Sequence, residues 1–225
     1  MNIQSFLEYV FYSNKEKSNT SFNNQNLNIK DLHHAHSSQT QRQRHRTRRL
    51  PRNRDHRRFP NSDGFIPGEA AGAITVTLNE NPNDDGLIIC GIGQGNEEAH
   101  ILQDELPNRG TGLNKAIRRA VTDSGSPLTE TLFHISAVSH ESFYFRETEL
   151  AVLRSLEHKV ADYPHLMLTA TTGEVGAASG PLMLAYLASV MPRPDGPGRK
   201  GLIHLSDDYG HRAAAIVQWQ PHISD

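Results

Sequence analysis

The chain has 225 residues, a single cysteine, 36% hydrophobic residues and a formal charge of −2. One cysteine excludes an intramolecular disulfide and a cysteine-based zinc knuckle, and no apolar run approaches the roughly 18 to 20 residues of a membrane-spanning helix. The near-neutral total hides two opposite segments: residues 1–60 hold 12 Lys/Arg against 4 Asp/Glu, net +8, and residues 61–225 hold 11 against 21, net −10.

In chain order, the apolar patch Met1–Tyr12 carries Glu8 and has no Lys or Arg ahead of it, so it does not read as a secretory signal. With the lone cysteine, that sets a cytoplasmic expectation. From Ser13 to Gln43 the sequence is mostly Asn, Ser, Gln, Lys and His, and it runs into Arg42-Gln43-Arg44-His45-Arg46-Thr47-Arg48-Arg49 and on to Arg58. Apolar residues this sparse do not offset chain entropy, so residues 1–60 are expected to be a disordered basic segment. One reading makes it an arm that neutralises nucleic-acid phosphates, although no aromatic residue is interleaved to stack on bases. A second makes it an unspecialised tail. A third takes the abrupt change at Ser62-Asp63-Gly64-Phe65 as a frame or start junction. His33, His34, His36, His45 and His56 offer imidazoles to a divalent metal without any fixed geometry.

The remainder, 61–225, is patterned throughout. Ala73–Leu78 and Gly86–Gly91 read as strands around the turn-rich segment Asn79–Asp85. Gly91-Ile92-Gly93-Gln94-Gly95-Asn96 evokes a dinucleotide-binding loop, but its third glycine comes one position early and no ribose-binding acid follows. Thr111 is placed to cap a helix whose buried face is Leu113, Ala116, Ile117, Ala120 and Val121, with Gly125 just past its end. Leu132–Val138 reads as a strand, and Glu147–His158 as a helix with Leu150, Val152, Leu153 and Leu156 inward. His165–Ala170 is a further strand. Gly173–Gly180 opens a helix through Met191 that has almost no polar side and is therefore expected to be central. Leu202–Ser206 and Ala213–Trp219 read as an antiparallel pair around Asp207-Asp208-Tyr209-Gly210. The order β-β-α-β-α-β-α-β-β predicts an α/β fold with a sheet covered on both faces.

Two segments carry a family resemblance. Gly64-Phe65-Ile66-Pro67-Gly68-Glu69-Ala70-Ala71-Gly72-Ala73 is similar to the Gly-Phe-x-x-Gly-Glu-Gly-Ala-Gly-Ala segment of β-ketoacyl synthases, and Gly173-Glu174-Val175-Gly176-Ala177-Ala178-Ser179-Gly180 is similar to their Gly-His-Thr-x-Ala-Ala-x-Gly. Between these, Gly112–Gly125 resembles the helix before the family's His-Gly-Thr-Gly-Thr loop. The resemblance covers residues 62 to 219. It implies a layered α/β/α half of a thiolase-like fold, a mixed sheet with a buried central helix, corresponding to the family's C-terminal half only. In such a fold the small residues Ala70, Ala71, Gly72, Ala177, Ala178 and Gly180 are expected to let backbone segments approach closely, Gly68, Gly173, Gly176 and Gly210 to be structural members of the same motifs, and Glu69 to be a buried carboxylate held by backbone donors.

The family's reaction passes an acyl group from a carrier-protein thioester to a cysteine, then condenses it with a decarboxylated malonyl unit. That requires an activated thiolate and donors for an enolate oxygen. The family's nucleophile belongs to the other half, and Cys90, inside Leu87-Ile88-Ile89-Cys90, reads as core packing. At the first histidine loop this chain has Val138-Ser139-His140-Glu141-Ser142, which offers His140. At the Gly-His step it has Glu174, at the lysine position Thr169, and in the last glycine-rich loop His211. His140, Glu174 and His211 are therefore the candidate acid–base groups, and the ordinary decarboxylative mechanism lacks its parts. The resemblance implies no bound cofactor beyond the phosphopantetheine thioester of an acyl carrier protein as substrate. As partners it implies that carrier protein and a complete synthase or second half-fold subunit, with dimerisation, since half of a duplicated fold exposes the apolar face meant for its twin. The readings left open are a divergent synthase copy that is truncated or frame-disrupted, a non-catalytic partner subunit, a working acyltransferase fed by another chain's nucleophile, and a nucleic-acid-associated protein.

Overall fold

The computed structural model describes residues 27–33, 64–78, 85–103, 105–138 and 141–221. The expectations for the Arg-rich run of the head and for His140 lie outside the described residues. Seven strands and four helices follow in order: β1 (Leu27–His33), β2 (Ala73–Leu78), β3 (Gly86–Asn96), α1 (Thr111–Ser124), β4 (Phe133–Ser136), α2 (Ser142–Ser155), β5 (His165–Met167), α3 (Thr169–Thr172), α4 (Ser179–Val190), β6 (Lys200–Ser206) and β7 (His211–Gln220). The strands form one sheet in the order β2-β1-β3-β7-β6-β4-β5. Strand β4 is parallel to both β5 and β6, and the other pairs are antiparallel.

Side-chain alternation along the central strands builds two cores. On β7, Ala213, Ala215 and Val217 join Leu87, Ile89, Ile203 and the α4 residues Met183, Leu184 and Leu187. The intervening Ala214 and Ile216 join Leu202 and the residues Leu113, Ala116, Ile117, Ala120, Ala151 and Val152 of α1 and α2. The molecule is therefore layered, with α4 on one face of a mixed sheet and α1 and α2 on the other. In α4, Ser179, Gly180, Pro181, Met183, Leu184, Ala185 and Leu187 are all buried, as its apolar sequence predicts.

Strand β3 carries a bulge. Ile89 pairs with Val217 and Gly91 with Ile216, leaving Cys90 as the extra residue. The insertion lets Ile92 join the same core as Leu87 and Ile89, while Gly91, Gly93 and Gly95 turn toward α1. A Cβ at Gly93 would run into the Ala116 carbonyl, one at Gly91 into the Ala120 carbonyl and one at Gly95 into the Gly112 carbonyl. The glycine stripe that evokes a nucleotide loop is thus a groove in a strand, into which α1 settles.

Several boundaries differ from the sequence reading, each for a physical reason. Strand β1 lies within the segment read as disordered. Its backbone registers Leu27 with Leu78 and Ile29 with Val76 on one side, and Leu27 with Ile89 on the other. The sheet thus takes in residues from both sides of the expected boundary at residue 60. Helix α2 begins at Ser142, not Glu147, and buries Tyr144, Glu147, Thr148, Ala151, Val152 and Ser155, leaving Leu153 70% exposed. Its inner stripe is half polar because Glu147 is committed to a buried ion pair. The segment read as the strand His165–Ala170 stays extended only to Met167 and then coils into α3.

Thr111 does not cap α1. The cap position is Gly110, in the left-handed region at φ 65, and no side chain of the cap itself bonds. The role falls to Glu97, 4% exposed just beyond β3, whose Oε2 accepts the Gly112 N–H at 2.7 Å. A carboxylate on a helix N-terminus satisfies an orphan donor and meets the positive end of the helix dipole. Glu97→Ala is expected to destabilise the chain by about 1 to 2 kcal/mol, with Glu97→Gln recovering part of it, read as shifts in the urea midpoint.

Candidate functional site

The two glycine-rich segments that carry the family resemblance clasp each other. Pro67 bridges to Glu174 in parallel register. The Glu174 N–H donates to the Ile66 carbonyl at 2.7 Å, and the Gly68 N–H donates back to the Glu174 carbonyl at 2.9 Å. This contact fixes the motif glycines. A Cβ at Gly68 would strike the Thr172 carbonyl, and Gly173 adopts φ 70 with Gly68 packed against it. Gly176 has φ 59, Gly180 is buried at the start of α4, and Gly72 lies against Pro181. Glu69 does not behave as expected: it is exposed, because its segment runs over the surface beyond the clasp.

Glu174 itself is half-buried and accepts the Gly176 N–H at Oε1, 2.8 Å away. Burial raises its carboxyl above the usual range; the Gly176 N–H opposes that, and the nearby Glu141 adds to it. Thr169, at the family's lysine position, is buried and donates its hydroxyl to the Val138 carbonyl. It supplies no cation.

His211 stands at the turn between β6 and β7. Its Nδ1 lies 2.8 Å from Asp207 Oδ2, while Asp207 Oδ1 accepts the N–H groups of Tyr209 and His211, each at 2.9 Å. Gly210, at φ 97, turns its carbonyl to the Glu97 N–H. Asp208 accepts the Tyr144 hydroxyl at 2.6 Å, tying the turn to the first turn of α2. The structure therefore sets Glu174 beside Glu141, the residue before α2, and His211 beside Asp207 in a turn anchored to the same helix end. Beneath the turn, Arg212 donates through Nε to both carboxylate oxygens of Glu147 at 2.9 Å and through Nη1 to the Asp207 and His211 carbonyls. Ser206 adds a 3.1 Å hydrogen bond to Glu147. A carboxylate-oriented imidazole of this kind can relay a proton. Cys90, the chain's single cysteine, is part-buried at the β3 bulge, and burial pushes its thiol up with Lys200 working against it.

A second cluster escaped the sequence reading. His134 of β4, His165 of β5 and His204 of β6 come from three neighbouring strands. His134 Nδ1 lies 3.1 Å from His204 Nε2, and His165 Nε2 lies 2.7 Å from Ser136 Oγ. The His134 ring stacks on His165 at 4.1 Å and on Tyr163 at 5.2 Å between centroids. Burial, helped by its neighbour His165, takes His134 down to about 3, and burial takes His165 down to about 4. Burial first, then the other two rings, hold His204 well below the ordinary histidine range. In all three, burial favours the neutral imidazole. The signal in the sequence was a histidine inside each of three apolar strands, which reads singly as an interruption and acquires meaning only from strand order.

A mixed sheet with an apolar helix buried on one face, two helices on the other and a clasp of glycine-rich segments is a layered half of the thiolase-like fold. Solved ketosynthases share that fold. The oxazolomycin ketosynthase domain of Streptomyces albus superposes with a TM-score of 0.57 at 13% identity, over 73% of this chain and 36% of its own. The ishigamide ketosynthase/chain length factor gives 0.51 at 18% identity, over 69% and 44%. A β-ketoacyl synthase from Burkholderia phymatum gives 0.51 at 15% identity, over 64% and 38%. The chain thus spans about two-fifths of the length of these proteins. No family model and no curated protein sequence matches it. No helix among the described residues is long and apolar enough to cross a membrane.

Proposed function

We propose that the chain is a non-catalytic partner subunit of a β-ketoacyl synthase assembly, completing a thiolase-like fold with a second half or a complete synthase during condensation on an acyl carrier protein. The observation that carries this reading is Cys90: the one thiol in the chain is the bulge residue of β3, part-buried against the core that α1 joins and raised by burial above the ordinary thiol range, so it is not the activated thiolate that an acyl acceptor requires. The replaced donors agree with it, since Glu174 as a carboxylate repels an enolate and the Thr169 hydroxyl is already given to the Val138 carbonyl. The similar structures include a type II polyketide acyl-carrier protein in complex with its ketosynthase and a ketosynthase from Xenorhabdus doucetiae with its chain length factor. Phe65 and Ile66, exposed at 44% and 64% beside the clasp, offer apolar surface to such a partner.

Purified chain mixed with acyl- and malonyl-carrier protein is expected to release no CO2 and to carry no acyl adduct by mass spectrometry, while co-expression with a ketosynthase gives a co-purifying complex. Turnover by the chain alone that disappears in His211→Ala would establish the acyltransferase reading instead.

A further inference from the structure

We propose that His134, His165 and His204 bind one divalent cation of the zinc class in the sheet layer facing α2. The three residues are brought together by register. His134 pairs directly with His165 across β4 and β5, and His204 pairs with Ser136 across β4 and β6. Their side chains lie on the face of the sheet that holds Leu202, Ala214 and Ile216 elsewhere. One ring nitrogen from each lies within 4.8 Å of the others.

The geometry is close to that of a three-histidine site. Zinc–nitrogen bonds of about 2.0 to 2.1 Å in a tetrahedral arrangement set neighbouring donors about 3.4 Å apart. His134 Nδ1 and His204 Nε2 already stand at 3.1 Å. The third ring has room to follow, because His165 is only partly buried and sits on a three-residue edge strand. Bringing its nitrogen in from 4.8 Å requires a turn of the ring off its stack on His134, a movement of roughly 1.4 Å at most. Ser136 Oγ, now 2.7 Å from His165 Nε2, is the kind of outer hydrogen bond that orients a ligating imidazole. The donor set contains no carboxylate and no thiolate, which suits zinc, cobalt, nickel or copper and disfavours magnesium or calcium. The pairwise contacts already present, His134 with His204 and His165 with Ser136, leave each ring a second nitrogen, and a metal engages all three rings at once.

The test uses the full, untagged chain, stripped of metal and titrated with Co2+ and with Zn2+. A single cation per chain is expected by elemental analysis, with Co2+ giving the visible bands of tetrahedral coordination. Affinity is expected to fall at least about 100-fold in His165→Gln, which is at an edge position where folding is least disturbed, and likewise in His204→Gln if that variant folds by circular dichroism. Binding is expected to be unchanged when His34, His36, His45 and His56 of the head are all replaced by alanine. Sub-stoichiometric binding, binding retained in folded His165→Gln, or binding that disappears with the head histidines would each overturn the proposal.

Discussion

Arg212→Met is expected to lower the unfolding free energy by about 3 to 5 kcal/mol, the range for removing one partner of a buried ion pair. Both side chains are fully buried, at 0% exposure. Burial pushes the Glu147 carboxyl up, and the Arg212 guanidinium, with the Ser206 hydroxyl, is what pulls against it. Without the cation the carboxylate is left in a dry layer between α2 and the sheet, and the Asp207 and His211 carbonyls each lose the Arg212 Nη1 donor as well, the His211 carbonyl keeping only the Asp207 N–H. The double variant Arg212→Met, Glu147→Met is expected to recover most of the loss, because two apolar side chains of similar volume remove the charge and its desolvation together. Urea unfolding of the four members of that cycle reads the coupling directly. A single variant as stable as the parent would mean that the pair carries little of the fold.

The second large effect is expected at Gly93. Its backbone lies so close to α1 that a Cβ would meet the Ala116 carbonyl and the Ala120 amide, which are helix backbone and cannot swing aside. Gly93→Ala must therefore lift α1 from the sheet and open the core of Leu113, Ile117 and Ile216. Overpacking of this kind costs about 1 to 3 kcal/mol, and here the upper end is expected because the obstructing atoms are rigid. The same substitution distinguishes the two meanings of Gly91-Ile92-Gly93-Gln94-Gly95. If the stripe were a phosphate-binding loop, Gly93→Ala would leave the fold intact and abolish nucleotide binding. As a packing groove, it lowers thermal stability whether or not nucleotide is present.

What could be seen in the sequence was set by which residues carry a repeating apolar signal. The strands β6 and β7 and the helix α1 bury continuous apolar stretches and were legible to within a few residues, whereas β3 was read only to Gly91 because its glycine stripe to Asn96 carries no side chains to bury, and α4 was read as opening from Gly173 when it starts at Ser179. Helix α2 was misplaced because Glu147, Thr148 and Ser155 occupy buried positions where apolar residues were sought, and Leu153 is on the outside. Strand β1 was missed because Leu27 and Ile29 alternate for only three residues in an Asn-rich stretch, and its pairing depends on β2 and β3, far along the chain. Among the candidate groups, Glu174 and His211 could be picked out as departures from a motif. Their companions Glu141 and Asp207 required coordinates. The histidine cluster depends entirely on strand order: β4, β5 and β6 are spread over 70 residues between His134 and His204, and no local pattern announces that they are neighbours.

The bulge in β3 also determines how this molecule can be watched. Because its single native sulfhydryl is part-buried there and raised by burial above the ordinary thiol range, a cysteine introduced at Tyr209, 72% exposed on the β6–β7 turn, becomes the more reactive handle for a fluorophore or spin label. Changes around the His211 turn can then be followed by spectroscopy on the otherwise unaltered chain.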